Sequence, residues 1–195
     1  MKKYEFTGET KEIVLPYRNA VLHRIRAITD FGTVKVGDLG GWIEKEENLS
    51  HEGNAWVRGD AKVYGNAKVC DNAEVYGNAE VRGNALVCSN AEVCDNAVVC
   101  SNALVRGDAE IFLTSQVLTI GPIGSRNGFT TFYRDKDNEI TVKCGCFLGK
   151  MEQFLEKVEQ THGDSKHGQV YRAAAEIARL QIDLSLEKPV KAEIE

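Results

Sequence analysis

The stretch VYGNAKVCDNAEVYGNAEVRGNALVCSNAEV, from Val63 to Val93, has a valine at every sixth position and decides the fold. The pattern x-[GDS]-[ND]-A-x-[VI] occurs ten times between Gly53 and Ile111. Pairs such as GN, DN and SN favour tight turns with positive φ. An amphipathic helix needs apolar residues three and four positions apart, so a period of six predicts short strands joined by turns. The aliphatic positions are Val57, Val63, Val69, Val75, Val81, Val87, Val93, Val99, Val105 and Ile111.

A repeat of fixed short period predicts a solenoid. Three six-residue units can close a triangular coil, whose backbone then bonds to the coils on either side. The pattern resembles that of the hexapeptide-repeat family, which implies a left-handed parallel β-helix. We therefore predict a mainly β protein with a small N-terminal β cap over residues 1–50 and the β-helix over residues 51–112. A C-terminal β-β-α-α module follows over residues 113–184, and a loose tail over residues 185–195.

Two further segments resemble known proteins. LHRIRAITDFGTVKVGDLGGWIEKEENLSHEGNAWV, residues 22–57, is similar to the start of the YdcK-like hexapeptide-repeat proteins of bacteria and phages. That resemblance implies a β-helix and brings no assigned activity. The segments IGSR, TTFY and CGCF, within residues 118–182, resemble a module that lies beside repeat domains in phage proteins. No activity comes with that module either.

Composition narrows the possible partners. The net charge of the 195 residues is −5, and no basic stripe is present, which argues against binding nucleic acid through its phosphates. No apolar run is long enough to cross a bilayer, and no apolar core follows the opening lysines. We therefore expect a cytoplasmic protein without a membrane partner. The six cysteines are expected to be small buried residues and not disulfides.

Stacking of the coils places outward residues in columns 18 positions apart. Leu86 and Leu104 share one column, and we expect this apolar face to join the subunits of a homo-oligomer, most simply a trimer. The alternative is a pair of scattered surface leucines. A second column holds stacked glutamates, which repel one another and are expected to face solvent. Its members are Trp56, Glu74, Glu92 and Glu110.

Histidine is absent from the repeats. Hexapeptide acyltransferases generally use a histidine between subunits as a base, and the related γ-class carbonic anhydrases hold their metal with three. His51 precedes the first repeat, and in the six-residue phase it would take an inward valine position. The sequence therefore favours a protein that is not an enzyme, with no catalytic residue and no cofactor. An acyltransferase remains an alternative.

A metal site elsewhere is a second possibility for the chemistry. Cys144, Cys146, His162 and His167 form a C-x-C-x15-H-x4-H pattern, in which the histidine pair has a spacing seen at zinc sites. The C-x-C pair lacks the geometry of a C-x2-C knuckle. The alternative is two buried thiols and two surface histidines, and we predict no metal.

The loop IGPIGSRNGFTT, residues 120–131, is the most suggestive local feature. Its glycines free the backbone to present N–H groups to an anion, and polar side chains add donors. It is not a Walker loop. The alternative is a structural loop in which Arg126 pairs with a carboxylate. Arginine and tyrosine side chains at the corners of the coils offer further contacts. The candidate ligand-binding residues are Ser125, Arg126, Thr130, Thr131, Arg58, Arg82, Arg106, Tyr64 and Tyr76.

These features favour a non-catalytic, oligomeric protein that binds a small anionic, nucleotide-like ligand. The phage resemblance adds the expectation that a phage encodes it and that the ligand is a signalling molecule of host defence. One alternative is a structural or protein-interaction scaffold, with the helical end as its contact. The acyltransferase alternative predicts that coenzyme A binds.

Overall fold

An antiparallel hairpin begins the chain. The structure is a computed structural model that describes residues 1–16 and 18–188. Strand β1 (Tyr4–Leu15) pairs with β2 (Arg18–Ala27), which pairs in turn with β3 (Leu39–Ile43). In β2, Ile25 is buried in the core of the β-helix, whereas Leu22 is buried in a separate cluster with Trp42 and Tyr64. Strand β3 then continues in parallel into the repeats, so the N-terminal cap and the β-helix share one sheet.

The repeats form ten two-residue strands arranged in three parallel sheets. Each strand pairs with the strand three places further on, as the triangular coil requires. The alanine and valine of every repeat are at most 2% exposed and form one continuous core. The strands are β4 (Trp56–Val57), β5 (Lys62–Val63), β6 (Lys68–Val69), β7 (Glu74–Val75), β8 (Glu80–Val81), β9 (Leu86–Val87), β10 (Glu92–Val93), β11 (Val98–Val99), β12 (Leu104–Val105) and β13 (Glu110–Ile111).

The first coil begins before the repeat pattern becomes visible. Ile43 pairs with Val63, and Leu49 forms an isolated bridge with Val69, so both take inward positions ahead of Val57. Two extra residues separate Leu49 from Val57 relative to a regular repeat. The expectation that His51 would take the inward position is therefore wrong, because Leu49 fills it. The ring of His51 instead stacks on Tyr4 at 4.3 Å between centroids.

The asparagines of the repeat form amide ladders along the corners. The side-chain amide of Asn54 donates to Asn72 at 3.2 Å, and that of Asn72 donates to Asn90 at 3.2 Å. The preceding turn residue has positive φ, as at Gly59 and Gly65. The [GDS]-[ND] pair therefore has two separate tasks, since one residue takes the left-handed turn and the next bonds to the neighbouring coil.

A four-stranded antiparallel sheet and two helices follow the last coil. The sheet has the order β14-β15-β16-β17, and both helices pack on it. The predicted fold class is confirmed, but the module has four strands before its helices and not two. The turn at Gly145, with φ of +55°, separates the last two strands. The elements are β14 (Val117–Ile123), β15 (Gly128–Arg134), β16 (Ile140–Cys144), β17 (Phe147–Lys150), α1 (Met151–His162) and α2 (Lys166–Gln181).

Strand β15 covers the open end of the last coil. The hydroxyl of Tyr133, which is fully buried, donates to the carbonyl of Arg106 at 2.9 Å and accepts from its N–H at 3.3 Å. The N–H of Leu104 donates to the Thr131 hydroxyl at 3.0 Å. Side chains of one strand therefore satisfy backbone groups that would otherwise pair with a further coil.

The glutamate column is not left to solvent, contrary to the expectation from charge repulsion. Lys188, in the C-terminal tail, lies 2.8 Å from Glu92 and 2.5 Å from Glu110, and Arg134 also pairs with Glu110 at 2.7 Å. Arg58 pairs with Glu74 at 3.2 Å. Cations from three parts of the chain thus offset the stacked charges. The rest of the predicted loose tail, residues 189–195, lies outside the described residues.

In the described part of the chain, no helix is long and apolar enough to cross a membrane. All six cysteines are free, but the expectation that they are buried is correct for only two of them. Cys88 and Cys94 are buried, Cys70, Cys100 and Cys144 are half-buried, and Cys146 is exposed.

Lys3 caps the N-terminal end of the β-helix, and we expect its loss to lower the stability of the fold. Its ammonium group donates to the carbonyls of Gly53 at 3.2 Å and Ala55 at 2.8 Å, and the residue is 4% exposed. Lys3→Met leaves both carbonyls without this donor, and we expect urea unfolding to show a loss of about 1 to 3 kcal/mol. Lys68→Met, at an exposed position of β6, is the control and should change stability little.

The same residue predicts a pH dependence. Burial lowers the pKa of Lys3 to about 8, whereas a lysine in an unfolded chain titrates near about 10.4. Between these values the unfolded chain binds more protons than the folded one, so the Lys3 contribution to the unfolding free energy rises with pH. The stability difference between the native protein and Lys3→Met should therefore grow by about 1 to 2 kcal/mol from pH 8 to pH 10. A difference that is constant or shrinks over this range contradicts the assignment.

Candidate ligand-binding site

A pocket of about 340 Å³ lies in the C-terminal module, between the sheet and the two helices. Three segments form it: the β14–β15 loop, the β16–β17 turn and the facing sides of α1 and α2. Its volume falls within the range of small-molecule sites in proteins. The residues that line it are Ser125, Arg126, Gly128, Phe129, Cys144, Gly145, Cys146, Phe147, Phe154, Lys157, Val158, Thr161, His162 and Tyr171.

The charged side chains around this pocket are all of one sign. Arg126 and Lys157 line it, His162 adds an imidazole, and no aspartate or glutamate is among the lining residues. Across residues 1–16 and 18–188, no hydrogen bond or ion pair joins the side chain of Arg126 or Lys157 to another residue. The alternative in which Arg126 pairs with a structural carboxylate therefore has no support in the described residues. Both cations are available to an anion from outside.

Aromatic rings form the floor of the pocket. Phe154 lies 5.6 Å from Phe147 and 5.8 Å from Tyr171 between ring centroids, and Tyr171 lies 5.5 Å from His162. Their edges and faces give an apolar surface suited to a flat ring or a hydrocarbon group. Phe129 in the β15 strand adds a fourth ring at the side. The pocket therefore combines an apolar interior with a cationic rim.

Tyr171 connects the helices to the predicted loop. A Cβ atom at Gly124, where φ is +74°, would lie 1.8 Å from the Tyr171 hydroxyl oxygen, so only glycine fits there. Burial and the neighbouring Cys144 sulfur raise the pKa of Tyr171, while Arg126 acts in the opposite direction. The phenol stays protonated at neutral pH and is a hydrogen-bond donor. Gly124 thus makes room for Tyr171, a role different from the anion-binding backbone predicted for the loop glycines.

Of the four candidate binding residues in this loop, two line the pocket and two do not. Ser125 and Arg126 are exposed and line the pocket. Thr130 and Thr131 are buried and do not line it. The Thr130 hydroxyl donates to Cys144 Sγ at 3.2 Å, and Thr131 accepts from the last coil, so both have structural partners. Because side chains alternate along β15, neighbouring threonines face opposite sides of the sheet.

The predicted corner residues lie on the β-helix and do not line this pocket. Arg58 stacks on Tyr76 at 4.3 Å from the ring centroid, and the Tyr64 hydroxyl donates to Glu80 at 3.0 Å. Arg106 donates to the sulfur of Cys88 at 2.9 Å. Arg82 is exposed. Four of the five candidates thus have partners within the chain.

The four residues considered as an alternative metal site are only partly brought together. Cys144, Cys146 and His162 all line the pocket, whereas His167 lies on the next helix with its ring 6.1 Å from that of His162. Within the described residues, no three of these side chains have their ligand atoms within 4.8 Å of one another. A group at a corner of the β-helix does meet that distance. The C-x-C-x15-H-x4-H pattern therefore does not correspond to an assembled set of four ligands in the described residues.

Lys157, Phe129, Phe147, Phe154 and Tyr171 are the site residues that sequence reasoning missed. The helical periodicity over residues 150–160 places Phe154 on the apolar face, which is typical of a core residue. The aromatic–glycine segment CGCF and the aromatic Phe129 beside the loop were the available signals. Neither indicates a pocket until the helices are packed on the sheet.

The fold and repeat define the class: a β-solenoid of hexapeptide repeats that carries an added α+β unit. No family model matches the chain. The chain is similar to the uncharacterized acetyltransferase YdcK of Escherichia coli (strain K12), with 38% identity over 61 residues. That match covers 29% of this chain and 19% of the relative, so the chain spans about a fifth of the length of the protein it matches. The similarity supports the resemblance in the fold and assigns no activity.

Proposed function

We propose that this protein binds a small organic anion, without catalysis, in the pocket of its C-terminal module. One observation carries the proposal: Arg126 and Lys157 line an aromatic pocket that contains no carboxylate and have no partner among the described residues. The chain as a whole has a net charge of −5, so this group of cations runs against the general charge of the protein. Unpaired cations beside an apolar cavity favour a ligand with an anionic group and an apolar body.

The chemistry of the rim favours phosphate or carboxylate. The guanidinium of Arg126 can form two parallel charge-assisted hydrogen bonds to either group, and Lys157 adds a flexible positive charge. Ser125 and the Tyr171 hydroxyl add neutral donors close to Arg126. An anion held here would stay partly exposed, because Arg126 and Lys157 are themselves exposed. Affinity should therefore fall as the salt concentration rises.

The interior favours a ligand with a planar ring, as in a nucleotide. Phe147, Phe154 and Tyr171 present ring edges and faces on which a base can pack, with the phosphate toward the rim. A phage origin and a ligand from host defence rest only on the resemblance of the C-terminal segment to phage proteins. They are the narrower form of the proposal, and the binding chemistry does not depend on them.

A ligand screen with matched variants tests the proposal. We expect nucleotides or cyclic oligonucleotides to raise the melting temperature, since a ligand that binds only the folded state stabilises it. Titration calorimetry with the best of them should show affinity about 10- to 100-fold weaker for Arg126→Ala, the loss expected for a charge-assisted contact. Arg82→Ala removes an exposed corner arginine of the β-helix and should bind as the native protein does.

Three results would redirect the proposal. No stabilisation by any anion in the screen would favour the scaffold function. Equal affinity for Arg126→Ala and the native protein, with loss in Arg82→Ala, would move the ligand to the corners of the β-helix. Selective binding of coenzyme A would favour the acyltransferase alternative, which the name of the YdcK relative suggests and the histidine-free repeats oppose.

The oligomer is a separate proposal. Leu86 and Leu104 stack directly on each other in the sheet of β6, β9 and β12, and each is half-buried in the single chain. We propose that this column is a subunit contact of a homotrimer, as the resemblance to hexapeptide-repeat proteins implies.

Introducing charges into this leucine column tests the contact. Light scattering of the native protein should give three times the mass of one chain, and Leu86→Glu with Leu104→Glu should give monomers because the charges cannot be buried. Glu80→Gln, a half-buried position in another sheet, should leave the assembly intact. A native protein that is already monomeric, or a double variant that stays trimeric, contradicts the contact.

A further inference from the structure

Two cysteines stack at one corner of the β-helix. Cys70 and Cys88 follow β6 and β9 directly, and these strands pair in register with Val69 opposite Val87. This is the corner column in which one repeat cysteine lies next to another. Cys94 lies between Tyr76 and Phe112 in its column, and Cys100 follows Arg82.

We propose that Cys70, Asp71 and Cys88 form a binding site for Zn²⁺. The two Sγ atoms and a carboxylate oxygen of Asp71 all lie within 4.8 Å of one another. Zinc bonds are about 2.3 Å to sulfur and about 2.0 to 2.2 Å to oxygen, so tetrahedral ligand atoms lie about 3.5 to 3.8 Å apart. Small rotations of these side chains therefore suffice to close the site. Two thiolates also select zinc over calcium or magnesium, which prefer oxygen ligands.

A hydrogen bond to the next coil positions Asp71, whereas its backbone conformation is common to the cysteine corners, since Ser89, Asp95 and Ser101 also have positive φ. Arginine and tyrosine corners are followed by glycine in the repeats, as in Arg58–Gly59 and Tyr76–Gly77, whereas Cys70 is followed by aspartate. Asp71 nonetheless has φ of +59°, a conformation that glycine adopts more readily than other residues. Its carboxylate accepts from the N–H of Ser89 on the next coil at 2.9 Å. That bond orients the carboxylate along the coil axis, toward the second cysteine.

Arg106 supplies the charge balance. Its Nε–H donates to Cys88 Sγ at 2.9 Å from the coil beyond. A Zn²⁺ ion with two thiolates and one carboxylate carries a net charge of −1, which one guanidinium offsets. Hydrogen bonds from such outer groups orient the ligands of a metal and tune its affinity. Arg106, predicted as a contact for an organic anion, is thus better explained as a partner of the Cys88 sulfur.

The site is open to solvent on one side. Cys88 is buried, Cys70 is half-buried and Asp71 is exposed. The exposed carboxylate leaves one side open, so a water molecule can take the fourth position of a tetrahedral ion. The site joins consecutive coils of the β-helix, and bound metal should stabilise the folded state accordingly.

Titration of the reduced, full-length protein with Co²⁺ tests the site, because tetrahedral cobalt reports thiolate ligands by its absorption. We expect one Co²⁺ per chain, with thiolate charge-transfer bands that one equivalent of Zn²⁺ removes. Cys70→Ala and Cys88→Ser, which is close in shape to cysteine, should each weaken binding at least about tenfold and reduce the charge-transfer bands. Asp71→Asn should weaken binding while both thiolate bands remain.

Cys94→Ala is the matched control. Cys94 Sγ lies 3.3 Å from a carboxylate oxygen of Asp95, so it reproduces one cysteine and one aspartate without a second thiol. This variant should bind Co²⁺ as the native protein does. The proposal fails if the native protein binds no stoichiometric Co²⁺. It also fails if binding survives in Cys70→Ala and Cys88→Ser but is lost in Cys144→Ala or Cys146→Ala, which would place the metal in the C-terminal pocket.

Discussion

The parallel pairing of each coil with the next is the constraint on which the rest of the structure depends. It satisfies the backbone groups inside the β-helix but leaves a row of unpaired groups at each end. Both flanks of the chain answer that requirement with side chains. Lys3 donates to carbonyls of the first coil, and Tyr133 and Thr131 bond to the last. The C-terminal module is therefore held against the β-helix by the same hydrogen-bonding demand that defines the repeat.

The fixed period also determines which surface residues meet. A separation of 18 residues brings the two cysteines of one corner together, and it stacks the glutamates of one sheet. Stacked like charges need cations from elsewhere, which explains why Arg134 and Lys188 reach the column from the C-terminal part of the chain. By contrast, no carboxylate among the described residues pairs with the cations of the C-terminal pocket. This difference in pairing separates residues that hold the structure together from residues available to a ligand.

A strict local pattern made the β-helix predictable from the sequence, since valine every six residues leaves few alternatives. The same pattern misplaced His51, because two extra residues after Leu49 break the phase before the first repeat. The loop with Ser125 and Arg126 was recognisable by composition, yet strand alternation takes Thr130 and Thr131 out of the site. Lys157 and Tyr171 could not be predicted as site residues from the sequence, because they meet the loop only through the packing of two helices on a sheet. The prediction that the glutamate column faces solvent was wrong for a similar reason, since the cations that pair with it come from distant parts of the chain.

Native mass spectrometry of the protein purified without added ligand tests the central claim most directly. The account predicts a retained small anion, with a phosphate or carboxylate group and an aromatic or other apolar body, that is absent when Arg126 is replaced by glutamate and the fold is intact. An anion retained equally by the native protein and by that variant would contradict the assignment of the function to the C-terminal pocket.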